Sequence, residues 1–249
     1  DGMLALQFAL TAKPGSAGQI STMIIPADAC WSEASAAVSC IDAPGRRKVD
    51  DKVVSDVARL LDNNSMILIN SDGLSIEARI AANRISEKTG CRVSMTPFPA
   101  RVDGGAGLPG SERLPYFPEQ VLARLNGVEK LILAGADSPV SFFAYPHIPS
   151  VLVPENCAVV RLSESEEDTA QALESLADFL GVSGGGYSIN RLADLELPTG
   201  ELSTRTISAA IAALIPEGAI NVSPVDAIHK MIGNRACPLS GGLVRVSDK

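Results

Sequence analysis

The sequence predicts an α/β protein built around a doubly wound parallel sheet, flanked on both sides by partial α/β pieces. Between residues 49 and 181, short apolar segments alternate with helical segments, and short polar or glycine-containing turns separate them. Strands that alternate with helices in this way are typical of a parallel sheet covered by helices on both faces. With 249 residues, 46% of them apolar, the chain can bury such a core.

The first part of the chain predicts one helix and one strand. Apolar residues between positions 3 and 12 predict a helix that ends at Pro14-Gly15, and the segment Gln19–Pro26 predicts a strand. Residues 32–48 show no clear hydrophobic period and are interpreted as a linker. One helix and one strand cannot bury themselves, so the piece formed by residues 1–31 needs a sheet that the neighbouring sequence does not provide.

The central domain, residues 49–181, is predicted to contain four strands and four helices. Boundary signals support the helices, because Asp50 suits the N-cap of the first, Gly90 follows the second, and an acidic segment opens the last. The predicted strands are Met66–Ile69, Arg92–Thr96, Leu131–Ala134 and Ala158–Leu162. The predicted helices run from Asp50 to the Asn63-Asn64 pair, from Ser75 to Thr89, from Glu119 to Leu125, and from the acidic run Glu164–Asp168 to Leu180.

The last part of the chain predicts a second linker and the start of another αβ unit. Residues 182–200 are rich in Gly and include Pro198-Thr199-Gly200, a composition typical of a linker. Within residues 201–249, the segment 203–214 predicts a helix and the segment 219–222 predicts a strand.

Charge and cysteine content exclude several classes of function. With 21 Lys and Arg against 29 Asp and Glu, the net charge is −8, which argues against binding to the phosphate backbone of nucleic acids. No apolar run approaches the ~18 residues that span a bilayer, so no membrane partner is expected. The five cysteines are scattered, without a Cys-x-x-Cys pair, and are interpreted as reduced and mostly buried. These features predict a soluble cytoplasmic protein.

Three sequence features that suggest catalysis or ligand binding are better explained as loops or turns. Gly105–Gly110 matches the letters of the dinucleotide fingerprint Gly-x-Gly-x-x-Gly, but prolines delay the next helix, so a long loop is favoured. Ser71-Asp72-Gly73 resembles the end of a magnesium-binding Gly-Asp-Gly, but the Asn that this motif needs is missing, so a strand-to-helix turn is favoured. Neither His147 nor His229 is paired with a nucleophile, and His147 is interpreted as a loop residue.

The candidate ligand site is a crevice at the carboxyl end of the predicted sheet. In open parallel sheets, ligands bind beyond the carboxyl ends of the strands, where the strand order reverses. This rule selects the turns Asn70–Gly73, Pro97–Arg101 and Gly135–Ser138. The residues predicted to line the crevice and to contact a cofactor are Ser71, Asp72, Phe98, Arg101 and Asp137.

An aromatic loop follows the third predicted strand. Phe142, Phe143 and Tyr145 lie there close together, with Pro139 and Pro146 beside them. This composition predicts a rigid, packed loop. The loop is interpreted either as a contact between domains or as the wall of a pocket.

The order of these segments resembles the thiamine-diphosphate-dependent enzymes, in particular the acetolactate synthase large-subunit-like proteins. PGSAGQISTMIIPADACW is similar to the end of their pyrimidine-binding domain. ILINSDGLSIEARIAANRISEKTG, LPYFPEQ and SPVSFFAYPHIPS are similar to their central domain, and ISAAIAALIPEGAINV is similar to the opening of their pyrophosphate-binding domain. The resemblance covers roughly residues 1–222, and the sequence diverges from it after about residue 222.

This resemblance implies chemistry on 2-oxo acids, either decarboxylation or carboligation, with thiamine diphosphate and Mg²⁺ as cofactors. It places the activating Glu upstream of Asp1 and the magnesium motif beyond Lys249, so no catalytic residue and no metal ligand is assigned. It also implies a homodimer or a homotetramer. FAD-binding members carry an Arg-rich turn after the third strand and an acidic turn after the fourth, whereas this chain has Gly135–Ser138 and Leu162–Glu164, which argues against FAD.

Two classes of function remain from the sequence. The first hypothesis is a segment of an acetolactate-synthase-like enzyme that is not catalytic by itself. The alternative is a free-standing nucleotide- or flavin-binding module, or a structural or regulatory α/β domain without chemistry.

Overall fold

A computed structural model gives the fold for most of the chain. The described residues are 2–12, 18–33, 42, 44–99, 101–110, 112–191, 196–214, 216, 220–222 and 243–248. The helices are α1 (Gly2–Leu10), α2 (Ala27–Trp31), α3 (Asp51–Ala58), α4 (Ile76–Thr89), α5 (Pro118–Leu125), α6 (Thr169–Phe179) and α7 (Thr204–Leu214). The strands are β1 (Ser65–Ile69), β2 (Arg92–Met95), β3 (Arg101–Ala106), β4 (Glu112–Arg113), β5 (Lys130–Ala134), β6 (Ala158–Ser163), β7 (Ile220–Val222) and β8 (Leu243–Asp248).

Five strands form a parallel sheet in the order β4-β2-β1-β5-β6. The chain builds outward from β1 to one edge through β2 and β4, and then crosses to the other side of β1 for β5 and β6. This is the doubly wound order, and it confirms the predicted fold class. A second sheet has the order β3-β8-β7, with β3 and β8 parallel and β7 and β8 antiparallel.

The sheet is buried on both faces, which is why β1 consists of five buried residues in succession. Ile67 and Ile69 pack into a core formed with α3, α4 and α6. Met66 and Leu68 point to the other face and pack against α5 and the segment before β6. Because side chains alternate along a strand, one short apolar run supplies both cores.

Side-chain caps fix three of the helix starts. The carboxylate of Asp50 accepts the N–H of Lys52 before α3, and the hydroxyl of Ser75 accepts the N–H of Ala78 at the start of α4. Asp168 accepts the N–H of Gln171 in the first turn of α6. These contacts satisfy backbone donors that have no partner inside the helix.

Two helix boundaries differ from the prediction. The first central helix, α3, ends at Ala58 because Asp62 and Ser65 shape a turn before β1, in which the Asp62 N–H donates to Ser65 Oγ at 2.9 Å. The acidic run Glu164–Asp168 is not helical: it forms the turn before α6, and only Asp168 caps the helix. Glu167 in this turn pairs instead with Arg47 at 2.8 Å.

The predicted strand Gln19–Pro26 is wrong. These residues form neither strand nor helix, and the short helix α2 follows them. Ile20 is 94% exposed and Ile24 is 91% exposed, so no described strand or helix covers these two side chains. An isolated strand has no partner for its hydrogen bonds, and β-branched residues alone do not stabilise it.

The region predicted as one long loop, around Gly105–Gly110, contains β3 and is held by a buried arginine. Arg79 of α4 is fully buried, and its guanidinium donates to the carbonyl oxygens of Asp103 and Pro109. Burial lowers the pKa of Arg79 to about 10, although the nearby Asp103 carboxylate acts in the opposite direction. The glycines do not lie between a strand and a helix start, which confirms that they are not a dinucleotide fingerprint.

The cysteines only partly follow the prediction. Cys91 is buried and Cys157 is partly buried, whereas Cys30 is exposed, and all three are free thiols. Cys40 and Cys237 lie outside the described residues. Within the described part of the chain, none of the helices has the length and apolar character needed to cross a membrane.

Replacement of Arg79 by Met should lower the free energy of unfolding by about 2–4 kcal/mol, because it leaves two buried carbonyl groups without their donor. Urea unfolding followed by circular dichroism measures this loss. Arg59→Met is the matched control: Arg59 is exposed and pairs only with Asp56 on the surface of α3, so we expect a change within ~0.5 kcal/mol. Equal losses in the two variants would contradict the proposed role of Arg79.

Candidate functional site

The candidate site lies at the carboxyl edge of the parallel sheet, where β1 and β5 end. The strand order reverses between these two strands, so this junction is the topological switch point. Asn70 follows β1 and donates its N–H to the carbonyl of Ala134 at the end of β5, at 3.0 Å. Helices α4 and α6 cover one face of the junction, and α5 covers the other. The two faces differ in what fills them.

On the face of α4 and α6, an arginine and an aspartate fill the crevice. Arg46 donates from Nη1 to Ser71 Oγ at 3.0 Å and to the carbonyl of Ser165 at 2.7 Å. Asp72 forms an ion pair with the same nitrogen at 3.4 Å, and its other oxygen accepts the N–H of Ala170 at 3.4 Å. The carboxylate therefore neutralises Arg46 and stabilises the N-terminus of α6.

Gly135 marks the closest approach between the sheet and α6. Its φ is +60°, and a Cβ at this position would lie 2.6 Å from Thr169 Oγ1 and 3.0 Å from the carbonyl oxygen of Asn70. Thr169 is fully buried, and its hydroxyl shares a 2.9 Å hydrogen bond with that of Ser163. Protein atoms thus pack this face at the place where a dinucleotide-binding fold would hold a pyrophosphate.

On the face of α5, a cavity of about 140 Å³ opens at the ends of β1 and β2. Its walls are mainly carbon, from Leu68, Leu114 and other apolar side chains. Its polar lining includes Thr96, whose buried hydroxyl has no hydrogen-bond partner among the described residues, and the exposed Asp137. The open half of the crevice is therefore mainly apolar.

Aromatic rings form the outer wall of this cavity. Tyr116 and Phe142 stack with their ring centres 5.6 Å apart and their planes within 8°. Phe98 packs against both rings, at 5.8 Å from Tyr116 and 5.0 Å from Phe142. Phe142 therefore forms part of a pocket wall, which is one of the two interpretations of the aromatic loop. Phe143 and Tyr145 pair with each other outside the cavity.

The five sequence-predicted residues fall into three groups. Ser71 and Asp72 lie together on the packed face. On the opposite face, Asp137 lines the cavity, and Phe98 does not line it but packs against the lining ring of Phe142. Asp137 is 93% exposed, with Arg161 Nη1 3.8 Å from its carboxylate. Arg101 is exposed at the start of β3 and pairs with Asp103 at 3.3 Å, away from the cavity lining. Their role in contacting a ligand stays a prediction.

The site residues outside the sequence-predicted set include Arg46, Thr96 and Tyr116. Arg46 lies in the segment interpreted as a linker. The basic pair Arg46-Arg47 is the sequence feature that could have indicated its position, because its charge complements that of the acidic turn before α6. Thr96 and Tyr116 flank a predicted loop whose path depends on distant contacts. His147 lies in the loop after β5, as predicted, with φ of +65°, and His229 lies outside the described residues.

The described residues do not form a site for the magnesium ion that the resemblance implies. No group of three or more His, Cys, Asp or Glu side chains among them could hold a metal ion. Asp72, at the position that resembles a magnesium ligand, is engaged by Arg46 and by the N-terminus of α6. The Ser71-Asp72-Gly73 segment is the strand-to-helix turn that the sequence predicts.

A protein of Mycobacterium tuberculosis named as a putative acetolactate synthase large subunit, IlvX, is 42% identical to this chain over 209 residues. This chain is homologous to acetolactate synthase large-subunit-like proteins. The match covers 83% of this chain and 40% of that relative, so the chain spans about two fifths of the relative's length. The resemblance predicted from the sequence is therefore confirmed.

Solved structures show the same fold. A structure named as a putative thiamin diphosphate-dependent enzyme from Mycobacterium smegmatis superposes with a TM-score of 0.56 and covers 86% of this chain, 44% of its own. The thiamine diphosphate-dependent 4-hydroxybenzoylformate decarboxylase of Rhodococcus jostii gives a TM-score of 0.58 and covers 83% of this chain, 42% of its own. Both are 16% identical to this chain, so they bear on the fold alone. No known family profile matches the chain.

Replacement of Gly135 by Ala should destabilise the protein by about 2–4 kcal/mol, because the new methyl group meets Thr169 and a backbone carbonyl in addition to the strained φ. Gly127→Ala is the matched control. Gly127 has φ of +74°, and no atom lies within 4 Å of the position that a Cβ would occupy, so the backbone strain alone should cost about 1 kcal/mol. Urea unfolding measures both, and equal costs would show that the crevice is not packed at Gly135.

Proposed function

We propose that this chain forms the central part of a thiamine-diphosphate-dependent enzyme that decarboxylates or condenses 2-oxo acids, and that it does not catalyse this reaction by itself. The observation that carries the proposal is the 42% identity to a putative acetolactate synthase large subunit over 209 residues. The fold supports it, because thiamine-diphosphate-dependent enzymes superpose on more than four fifths of the chain. In this proposal, thiamine diphosphate supplies the carbanion chemistry, with Mg²⁺ to anchor the diphosphate.

The chemistry of the described residues supports a scaffolding role for this part. The carboxylate of Asp72 is held by Arg46 and a helix N-terminus, and that of Asp137 is open to solvent. Each carboxylate has an arginine beside it, Arg46 for Asp72 and Arg161 for Asp137, so neither is the isolated buried carboxyl group that a general acid requires. The 2-oxo acid would therefore react elsewhere in the longer protein.

Exposed apolar surface at both flanks supports the proposed place in a longer enzyme. Along α1, Leu4, Phe8 and their apolar neighbours are exposed, as is the segment containing Ile24. On α7, Ile207, Ile211 and Leu214 line an open apolar groove. Surfaces of this kind are costly in water and are normally covered by other parts of a protein. We propose that the rest of each flanking domain covers them in a cytoplasmic homodimer or homotetramer.

The proposal is tested by comparing this chain with a longer product of the same reading frame that extends on both sides. Pyruvate consumption with added thiamine diphosphate and Mg²⁺ should occur in the extended protein and be absent from the isolated chain. Quenching of intrinsic fluorescence reports cofactor binding in the same samples. Turnover by the isolated chain would contradict the claim that it is not catalytic. An extended protein that binds no thiamine diphosphate would contradict the family function.

The packed face of the crevice argues against the alternative of a nucleotide- or flavin-binding module. FAD, NAD and ADP, each added at ~1 mM, should leave the melting temperature of this chain unchanged. A nucleotide that bound the folded state with a dissociation constant below ~1 mM would raise the melting temperature. Differential scanning fluorimetry measures the shift. A yellow purified protein, or a saturable shift with any of the three nucleotides, would favour the alternative.

A further inference from the structure

The first half of the segment interpreted as a second linker is bound to the central domain. Residues 183–191, called the strap below, follow α6 and contact both α4 and the loop after β3. The strap begins with the glycines 184–186, which lose much conformational freedom when they are held in one position. Specific contacts must therefore hold it there.

Arg84 of α4 supplies the side-chain contacts. Its Nε donates to the carbonyl oxygen of Gly185 at 2.7 Å, and its Nη1 donates to the carbonyl oxygen of Ser183. The guanidinium carbon lies 5.4 Å from the centre of the Tyr187 ring, which is a cation–π distance. One side chain thus contacts three residues of the strap. The planar guanidinium reaches two carbonyl groups at once, which a lysine ammonium does less well.

Backbone hydrogen bonds join the strap to the loop after β3. Gly107 donates its N–H to the carbonyl oxygen of Asn190 at 2.9 Å, and Asn190 donates its own N–H to the carbonyl oxygen of Leu108 at 2.9 Å. An isolated antiparallel bridge joins Ile189 to Pro109. The strap is therefore held at both ends, by α4 near its start and by this loop near its end.

The contacts of the strap are polar and exposed, unlike those of the core. Ile189 is 49% exposed, and open space surrounds the positions that a Cβ would occupy at Gly184 and Gly186. The loop beneath the strap is fixed differently, because the fully buried Arg79 binds it to α4. Segments with few buried apolar contacts and exposed hydrogen bonds open at a lower free energy than the whole domain.

We propose that residues 183–191 open and close as one unit while the parallel sheet stays folded, that Arg84 is the positioning residue of the closed form, and that the closed strap limits the distance between the central domain and α7. Opening releases nine residues, which reach up to ~30 Å when extended. Strap opening needs no thiamine diphosphate and no substrate. It can be absent while the proposed enzyme function stands, and it can occur in a chain without enzyme activity.

Amide hydrogen exchange, followed by NMR on the 249-residue chain, tests whether the strap opens by itself. The N–H of Asn190 reports the strap, and that of Asn70, bonded to Ala134 at 3.0 Å, reports the sheet. We expect Asn190 to exchange about tenfold faster than Asn70 or more, and about tenfold slower than an unstructured peptide or more. Val57→Ala, in the core beneath α3, should speed exchange at Asn70 and leave Asn190 unchanged, because it destabilises the domain and not the strap.

The role of Arg84 is tested with the same amides. Arg84→Met should speed exchange at Asn190 about tenfold, because it removes two charge-assisted hydrogen bonds and a cation–π contact. Arg84→Lys should recover part of this loss. Lys88→Met is the control: it removes a positive charge from the last turn of the same helix and should leave Asn190 unchanged. Circular dichroism establishes that each variant is folded. Tyr187→Leu, with an expected increase of about threefold, replaces Arg84→Met if that variant is not.

The limit on α7 is tested by a distance measurement. Spin labels replace the exposed Glu87 of α4 and Arg205 of α7 through unnatural amino acids, since the chain has cysteines of its own. Arg84→Met combined with Asn190→Pro removes the guanidinium and the N–H that bonds the loop, so this variant should hold the strap open. Double electron–electron resonance should then show a wider distribution that extends to longer distances than in the unmodified chain.

Four results would overturn the proposal. The first is exchange at Asn190 as fast as in an unstructured peptide, which would show that the strap is not closed. The second is exchange at Asn190 that follows Asn70 in the unmodified chain and in Val57→Ala, which would show that the strap opens only with the whole domain. The third is equal exchange at Asn190 in Arg84→Met and Lys88→Met. The fourth is an unchanged distance distribution in the double variant.

Discussion

The burial of β1 on both faces is the constraint on which the rest of this structure depends. Every residue of β1 is buried, and its side chains alternate between two cores. Because β2 and β5 pair with β1 on either side, the carboxyl end of β1 lies where the order of the strands in the sheet reverses. Covering both faces also divides that end into two separate environments. The polar contacts of α6 lie on one side and the apolar contacts of α5 on the other.

The two environments differ because of a few contacts rather than because of composition. On the α6 side, the missing side chain of Gly135 lets the helix start come close enough for the hydroxyl of Thr169 to pair with that of Ser163. Arg46 then closes the remaining space and balances Asp72. On the α5 side, the prolines and aromatic rings beyond β2 and β5 cannot pack as tightly, and the cavity remains. One half of the crevice is thus filled by protein contacts, and the other half contains the cavity.

The sequence predicted what depends on local pattern and missed what depends on distant partners. The apolar run of β1 and the Ser75 cap of α4 are local signals, and the structure has both within a residue or two. In contrast, Gln19–Pro26 has the composition of a strand but pairs with no strand in the described part of the chain, and β3 pairs with β8 more than 130 residues away along the chain. The site follows the same division. The switch-point rule located its turns, but the contacts of the partly buried Arg46 guanidinium and the unpaired hydroxyl of Thr96 arise only when separate segments meet.

Asp72 shows how tertiary contacts decide the chemistry of a local motif. An Asp in a turn after a parallel strand has the position of a magnesium ligand, and its sequence neighbours Ser71 and Gly73 fit that interpretation. A metal ligand needs a carboxylate with free lone pairs and further oxygen donors beside it. Here the Arg46 guanidinium lies 3.4 Å from Oδ1, which accepts no hydrogen bond among the described residues, and the Ala170 N–H donates to Oδ2 at 3.4 Å, so a cation and a helix N-terminus already balance the negative charge. A second cation would have to displace Arg46, whose nitrogen also bonds Ser71 and Ser165. The Asp72 carboxylate therefore has a structural role at a position where the sequence motif alone suggests a metal ligand.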